Sequence, residues 1–399
     1  MSRKKILLMA HDVTLAHVGR PLKLGELLHA DGHDVVLATS ADSARFLAGF
    51  PGRTRTLAPT GKARFIDNLA KGRPVFDYAT LKRYAEEDEA VLSAEKPDLV
   101  IGDFRITLSI TARRLSIPYA TLTNAYWSPA FTPRFIVPDL PMVRFLGVRL
   151  SQAIFDAVRP LAFALHCRPM DALRRHYGLP PLGPDLRRIY TDADLALFSD
   201  IPEVYGLYGD IPGGHFLGPV RWSPEVPLPD WWAALDPNKP LIYVTLGSSG
   251  DGRLLPRLLD RLARPGLQLA VATAGATVGV TAPDVFCADY LPGDAVAARA
   301  ALVICNGGSP TCAQALAAGV PVLGVPGNLD QYLNMHYLEG QGVGLTLRNR
   351  ELDGPNLKRT VDRLLGEPSF RRAAQSLAAT LSRYDLAERL REALRRLTA

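Results

Sequence analysis

The sequence is short of cysteine, with four in 399 residues. They stand at Cys167, Cys287, Cys305 and Cys312 and form no C-x-x-C pair, so a disulfide framework and a cysteine zinc site are both unsupported. A reducing compartment fits, and a cytoplasmic location is expected. No stretch reaches the roughly 18 apolar residues that a membrane-spanning helix needs. The basic start, Met1 to Lys5, leads into Ile6–Ala10, which stops at His11-Asp12; this is too short for a signal-peptide core, and no leader is expected. H-E-x-x-H is absent. So is a D-x-D in a loop, because Asp192-Ala193-Asp194 runs straight into the apolar Leu195–Phe198; no metal and no resident cofactor are expected. Neither G-x-x-x-x-G-K-[ST] nor G-x-G-x-x-G occurs, which removes support for ATPase and dinucleotide readings. Charge of one sign is barely in excess: 46 Lys and Arg against 40 Asp and Glu give +6. No aromatic–basic interleaving accompanies it, so no nucleic-acid partner is expected. The arginines near the end (Arg371, Arg372, Arg383, Arg389, Arg391, Arg395 and Arg396) read as a solvated helix face, leaving peripheral contact with an anionic membrane open.

What is present is the balance of a globular protein, 47% hydrophobic and 22% charged, at a length that suggests two or three domains. Ile6–Ala10 is a short buried strand. A loop, His11–Gly19, follows, and Pro21 suits the first turn of a helix whose Leu24, Leu27 and Leu28 form an apolar stripe. Asp34–Thr39 is a second strand. A strand–helix–strand crossover of this kind is the unit of a parallel sheet. The rhythm returns at Leu99–Asp103, the helix Ser109–Leu115, Pro118–Leu122 and Leu195–Phe198. Residues 131–180, rich in proline and apolar side chains, read as helices and loops inserted over the first domain. Residues 210–240, rich in Pro, Gly and Trp, read as a linker. A second alternating series has strands near 241–246, 268–273, 284–287, 302–305 and 321–325. The fold class is therefore α/β, two doubly wound parallel-sheet units. The expected division is 1–215, linker 216–240, 241–380, and a last helix in 381–399 that packs back on the first domain.

Two strand-to-helix loops carry the chemistry. Thr245-Leu246-Gly247-Ser248-Ser249-Gly250 has small residues that let backbone amides approach an anion, and hydroxyls that add donors. In Val303-Ile304-Cys305-Asn306-Gly307-Gly308-Ser309-Pro310-Thr311, paired glycines clear space before a helix whose N-terminus carries about half a positive charge. Gly319-Val320-Pro321 leads into the next strand, and a loop beginning at Pro326 delivers Asp330-Gln331. In an open parallel sheet such loops lie at the carboxyl ends of the strands, where ligands bind.

These motifs resemble the donor signature of two-domain nucleotide-sugar glycosyltransferases, the GT-B group that holds the plant and bacterial small-molecule enzymes. The family pattern is approximately W-x-P-Q, H-G-G-x-x-S/T-x-x-E, G-V-P and P-x-x-x-D-Q. Here it stands as Tyr290-Leu291-Pro292-Gly293, Asn306 through Gln314, Gly319-Val320-Pro321, and Pro326 through Gln331. The resemblance extends to Leu217-Gly218-Pro219 and to the chain's start. It implies two Rossmann-like domains facing a cleft, with the donor on the second. It further implies that Asp330 and Gln331 bind the donor sugar, that Gly308, Ser309 and Thr311 hold the diphosphate with Gly307 beside them, that Leu291 meets the base edge, and that Gly247 and Ser248 line the phosphate side. Three positions depart from the pattern. Asn306 replaces a histidine, Gln314 replaces the glutamate that grips the ribose hydroxyls, and Tyr290 replaces a stacking tryptophan. A dTDP-sugar is thus as admissible as a UDP-sugar.

On the acceptor side, His17 stands in Ala16-His17-Val18-Gly19-Arg20-Pro21, similar to the family's G-H-x-x-P loop but one residue longer before the proline. It is the expected general base, with Asp103 as the carboxylate that orients it; His11 and Asp12 form a rival pair. Tyr126, Trp127, Phe131 and Phe135 are expected to shape an apolar acceptor pocket. The implied activity is inverting, metal-independent transfer of a sugar from a UDP- or dTDP-sugar to a hydroxyl of a small acceptor. A nucleotide-sugar epimerase or hydrolase and a non-catalytic partner protein remain as alternatives. Acceptor, hexose and oligomeric state stay open.

Overall fold

Strands apolar on both faces can be stable only if helices cover both sides of the sheet. The computed structural model, described for residues 2–279 and 282–398, has this arrangement twice. The chain divides into two compact units. The first comprises residues 1–133, 149–220 and 385–399, and the second comprises residues 134–148 and 221–384.

The first unit carries seven strands: β1 (Lys5–Ala10), β2 (Asp34–Ser40), β3 (Arg53–Leu57), β4 (Leu99–Asp103), β5 (Tyr119–Thr123), β6 (Leu195–Phe198) and β7 (Gly214–Phe216). Their order is β3-β2-β1-β4-β5-β6-β7, all parallel. The register pairs Ala10 with Asp103, so the residues after β1 and the end of β4 emerge side by side. Leu7, Met9, Val36, Val100, Leu108 and Tyr119 make the core on one face.

The second unit repeats the plan with β8 (Leu241–Thr245), β9 (Gln268–Ala272), β10 (Val285–Ala288), β11 (Leu302–Cys305), β12 (Val322–Gly324) and β13 (Gly344–Thr346). The order is β10-β9-β8-β11-β12-β13, again all parallel. Ile242, Val244, Leu258, Leu269, Ile304 and Leu323 are buried in its core. Each such side chain contributes about 1.5–3 kcal/mol on leaving water.

Several boundaries differ from the sequence reading. The first helix runs Leu15–Ala30, so His17 lies in its opening turn rather than in a loop, and Pro21 sits inside it. Having no N–H, Pro21 cannot bond back to the His17 carbonyl. Residues 134–148 group with the second unit, not the first. The stretch taken as linker holds β7, and it divides between the units after Val220. Residues 141–176 form one long helix, Pro141–His176, broken at Gly147, where φ is 71°. The last helix, Leu386–Leu397, belongs to the first unit. Its arginines are not simply solvated. Arg389 donates to the Phe216 carbonyl and to Asp210, Arg396 donates to Asp210, and Arg391 forms a two-point pair with Asp31.

Candidate active site

In the first unit the chemistry gathers where β1 and β4 end. The His17 ring nitrogen Nδ1 lies 2.7 Å from Asp103 Oδ1, and the Asp103 side chain is wholly buried while His17 keeps 20% exposure. A carboxylate can only accept, so Nδ1 is the donor in this contact, and in the neutral ring that arrangement leaves the lone pair on Nε2. The ring stacks on Phe104 at 4.9 Å and 15°. Phe104 itself sits at φ 56°, a left-handed conformation that is costly for an aromatic residue and is kept here directly under the His17 ring.

Arg20, one helical turn after His17, completes the group. Its Nε donates to Asp103 Oδ2 at 2.8 Å, and its Nη2 donates to Oδ1 at 2.7 Å. Its Nη1 reaches Asn124 Oδ1 at 3.1 Å and Ser199 Oγ at 3.2 Å. The guanidinium fork thereby fixes the carboxylate that fixes the histidine. The rival pair does not form. The Asp12 carboxylate accepts from the hydroxyls of Ser40 and Thr60. His11 is caged by Phe65, Phe76, Tyr84 and Phe104. Burial, reinforced by the charge of Arg105, holds His11 well below the ordinary histidine range.

In the second unit, the loops after β8, β11 and β12 meet at one hydroxyl. Ser249 Oγ accepts from Asn306 Nδ2 at 3.0 Å and from Gln331 Nε2 at 3.4 Å. Asn306 Oδ1 accepts the Gly308 N–H at 3.0 Å, and Gln331 Oε1 accepts the Gly327 N–H at 2.7 Å. Asn334 Nδ2 donates to the Gly307 carbonyl at 2.8 Å. Beyond this knot, the helix Ser309–Ala317 begins at Gly308 with no side-chain cap and with Pro310 in its first turn. Its positive end is thus presented by small, half-buried residues. Gly307 has φ 77°, and a Cβ there would come 2.6 Å from Met335 Cγ. Gly307→Ala is expected to cost about 1–3 kcal/mol of stability and to weaken nucleotide binding, measured by thermal melting and calorimetry.

A family model described as Erythromycin biosynthesis protein CIII-like, C-terminal domain, matches residues 257–388. A PGL/p-HBAD biosynthesis glycosyltransferase of Mycobacterium tuberculosis (strain ATCC 25177 / H37Ra) is 44% identical over 378 residues, 94% of this chain and 88% of its own. The chain belongs to this glycosyltransferase family. A PGL/p-HBAD biosynthesis rhamnosyltransferase of Mycobacterium bovis (strain BCG / Pasteur 1173P2) is also 44% identical, over 383 residues, 96% of this chain and 85% of its own. Among solved structures, the spinosyn rhamnosyltransferase SpnG complexed with thymidine diphosphate has a TM-score of 0.71 at 18% identity, covering 97% of this chain and 99% of its own. The two parallel-sheet units are those of the GT-B fold.

In this glycosyltransferase, some residues expected to touch substrate are placed otherwise. Tyr126 is fully buried, Phe131 packs on Tyr205 at 4.9 Å, and Phe135 is buried and belongs to the second unit. Trp127 connects to His17 through Tyr190 (5.1 Å) and Phe104 (5.5 Å), with Tyr126 behind it at 6.3 Å. Phe104, Tyr190 and Trp127 are all half-buried, and they form the aromatic track that leads from His17. Gln314 is buried, and its amide nitrogen donates to the Trp222 carbonyl at 3.0 Å and to Ser223 Oγ at 2.8 Å. Gln331 is buried with both ends of its amide engaged, whereas Asp330 beside it is half-buried. Leu291 is buried, and Tyr290, Gly247, Ser248, Ser309 and Thr311 are half-buried. Arg20 escaped the sequence reading, which named Ser249 only as one of the hydroxyls of its loop. Arg20→Lys keeps a charge but cannot span both Asp103 oxygens together with Asn124. Turnover is expected to fall about tenfold in steady-state assays with donor KM little changed.

Proposed function

We propose that this glycosyltransferase moves a sugar from a dTDP- or UDP-sugar to a hydroxyl of a small apolar acceptor, with inversion at the anomeric carbon and without a metal ion. The observation that carries the reading is the 2.7 Å contact of His17 Nδ1 with Asp103, which leaves Nε2 to act. Nε2 takes the acceptor proton as the acceptor oxygen attacks the anomeric carbon. The bond from that carbon to the diphosphate oxygen breaks, and the diphosphate leaves with the electron pair. Asp103 orients the imidazole and balances the charge that it gains, and Arg20 positions Asp103.

The second unit is the donor side in this reading. Amides and hydroxyls of Gly308, Ser309 and Thr311, at the positive end of their helix, meet the leaving diphosphate as its charge grows. Gly247 and Ser248 flank it, Asp330 takes the sugar hydroxyls, and Tyr290 stacks on the base beside Leu291. Asn306 and Gln331 act mainly as braces for these loops. The 44%-identical relative named a rhamnosyltransferase, and the thymidine diphosphate complex of SpnG, favour a dTDP-deoxyhexose. The relatives' naming for PGL/p-HBAD biosynthesis favours an acceptor in that pathway. On the acceptor side, the track of Phe104, Tyr190 and Trp127 suits a flat apolar molecule.

The test is incubation with dTDP-rhamnose, UDP-glucose and aromatic alcohols, in the presence and absence of a chelator, with product configuration read by NMR. A product of opposite anomeric configuration, formed at an unchanged rate with chelator, supports the reading. Retention of configuration, or loss of turnover on chelation that added metal restores, overturns it.

A further inference from the structure

Three neighbouring strands of the first sheet end close together. β4 ends in Asp103, β5 leads into Asn124, and β6 leads into Ser199 and Asp200. The register pairs Asp103 with Leu122 and Thr123 with Phe198, so these polar residues emerge in a row. Arg20 holds Asp103 at one end of the row and reaches Asn124 and Ser199 in the middle. The other end is a second carboxylate. Asn124 Nδ2 donates to Asp200 Oδ1 at 2.9 Å and to Ser199 Oγ at 3.2 Å. The Ala125 N–H donates to Asp200 Oδ2 at 2.6 Å, and the Tyr205 side chain adds a further bond.

The two ends of an amide side chain are nearly the same shape, so its neighbours decide which way it faces. A guanidinium only donates. A carboxylate only accepts. Loss of water lifts the Asp200 carboxyl to about 6, against the bonds it receives, so at neutral pH it is still ionised. Asn124 therefore has one setting that serves both sides, with Oδ1 on Arg20 and Nδ2 on Asp200. Ser199 imposes no direction, because a hydroxyl can donate or accept.

We propose that Asp200 is a positioning residue for the transfer reaction: by accepting from Asn124 it keeps the amide oxygen on Arg20, and so keeps Arg20 on the carboxylate that orients His17. The proposal rests on the reading of His17 as the base.

The test exchanges the two ends of this bond. An asparagine at 200 has one acceptor oxygen for two donors. The Ala125 N–H is fixed in the backbone and keeps it, so Asn124 must turn and set its Nδ2 against Arg20. D200N is expected to lower turnover about fivefold, with the donor dissociation constant within about twofold. N124L, which removes the link and keeps the Asp200 charge, should fall about as far. The swap N124D/D200N restores the polarity: the carboxylate at 124 accepts from Arg20 and from the new amide, whose oxygen keeps the Ala125 N–H. Its turnover should return to within about twofold of wild type. Melting temperatures separate loss of fold from loss of positioning. D200N or N124L with wild-type turnover overturns the proposal, as does a folded swap that is no faster than D200N. His17→Ala assayed beside them distinguishes the two levels. Wild-type turnover in H17A overturns the reading of the base and this proposal with it, whereas a slow H17A beside a fast D200N overturns this proposal alone.

Discussion

His17→Ala is expected to lower turnover at least about a hundredfold while the donor dissociation constant stays within about twofold. A hundredfold corresponds to about 2.7 kcal/mol of transition-state stabilisation. The separation of the two effects follows from the structure. His17 belongs to the first unit, and every residue assigned to the nucleotide belongs to the second. Removing the imidazole takes away the acceptor for the hydroxyl proton and leaves the donor loops as they are. It also leaves Asp103 bonded to Arg20 by two hydrogen bonds, so the carboxylate is not stranded. Steady-state kinetics and calorimetry with a nucleotide diphosphate measure the two quantities. A variant with wild-type turnover would remove His17 from the reaction.

Arg105→Met is expected to cost about 3–5 kcal/mol of folding stability, because it strands a buried charge. Arg105 is fully buried. It donates to Asp88 at 2.7 Å and to Glu87 at 2.5 Å, with its guanidinium 4.5 Å from the Tyr84 ring. Burial already pushes the Asp88 carboxyl up, opposed by Arg105 and by the Thr107 hydroxyl. Without the arginine, only the Thr107 bond at 2.5 Å remains to hold the charge. The sign of the pH dependence follows. A carboxyl whose folded value lies above its unfolded value binds a proton more readily when folded, so R105M should lose less stability at mildly acid than at mildly alkaline pH. Asp88→Asn added to R105M should recover part of the loss. Denaturant titrations of the three proteins across pH check both statements; an equal loss at all pH values would show that Asp88 does not carry the effect.

The candidate site of the second unit was largely legible because it lies in contiguous loops. Small residues between a buried strand and a helix start have few uses, and Asn306 through Thr311 show them in order. His17 and Asp103 were legible for another reason: each follows or ends an apolar strand, and adjacent parallel strands bring their ends together. Arg20 was not legible. A single arginine in a helix ordinarily reads as a solvated charge, and only its spacing of three from His17 hints that both point to one carboxylate. Aromatic content misled for Tyr126 and Phe135, since composition does not distinguish a ring that lines a pocket from one that fills a core. The edge strands β3, β7 and β13 escaped because they are polar or only three residues long. Asn306 and Gln331 show a further limit: an amide can serve a ligand or its own backbone, and here the neighbouring N–H groups claim one end of each.

The terminal helix has a practical consequence for protein engineering. Because residues 385–399 complete the first unit, and residues 134–148 the second, neither unit is an uninterrupted piece of the gene. A chimera that imports a foreign second unit should therefore graft 134–148 together with 221–384 and keep the native tail, whose Arg389 and Arg396 clasp Asp210. Cutting once at 220 and replacing everything downstream would swap that clasp for a stranger's, leaving Asp210 to find new company.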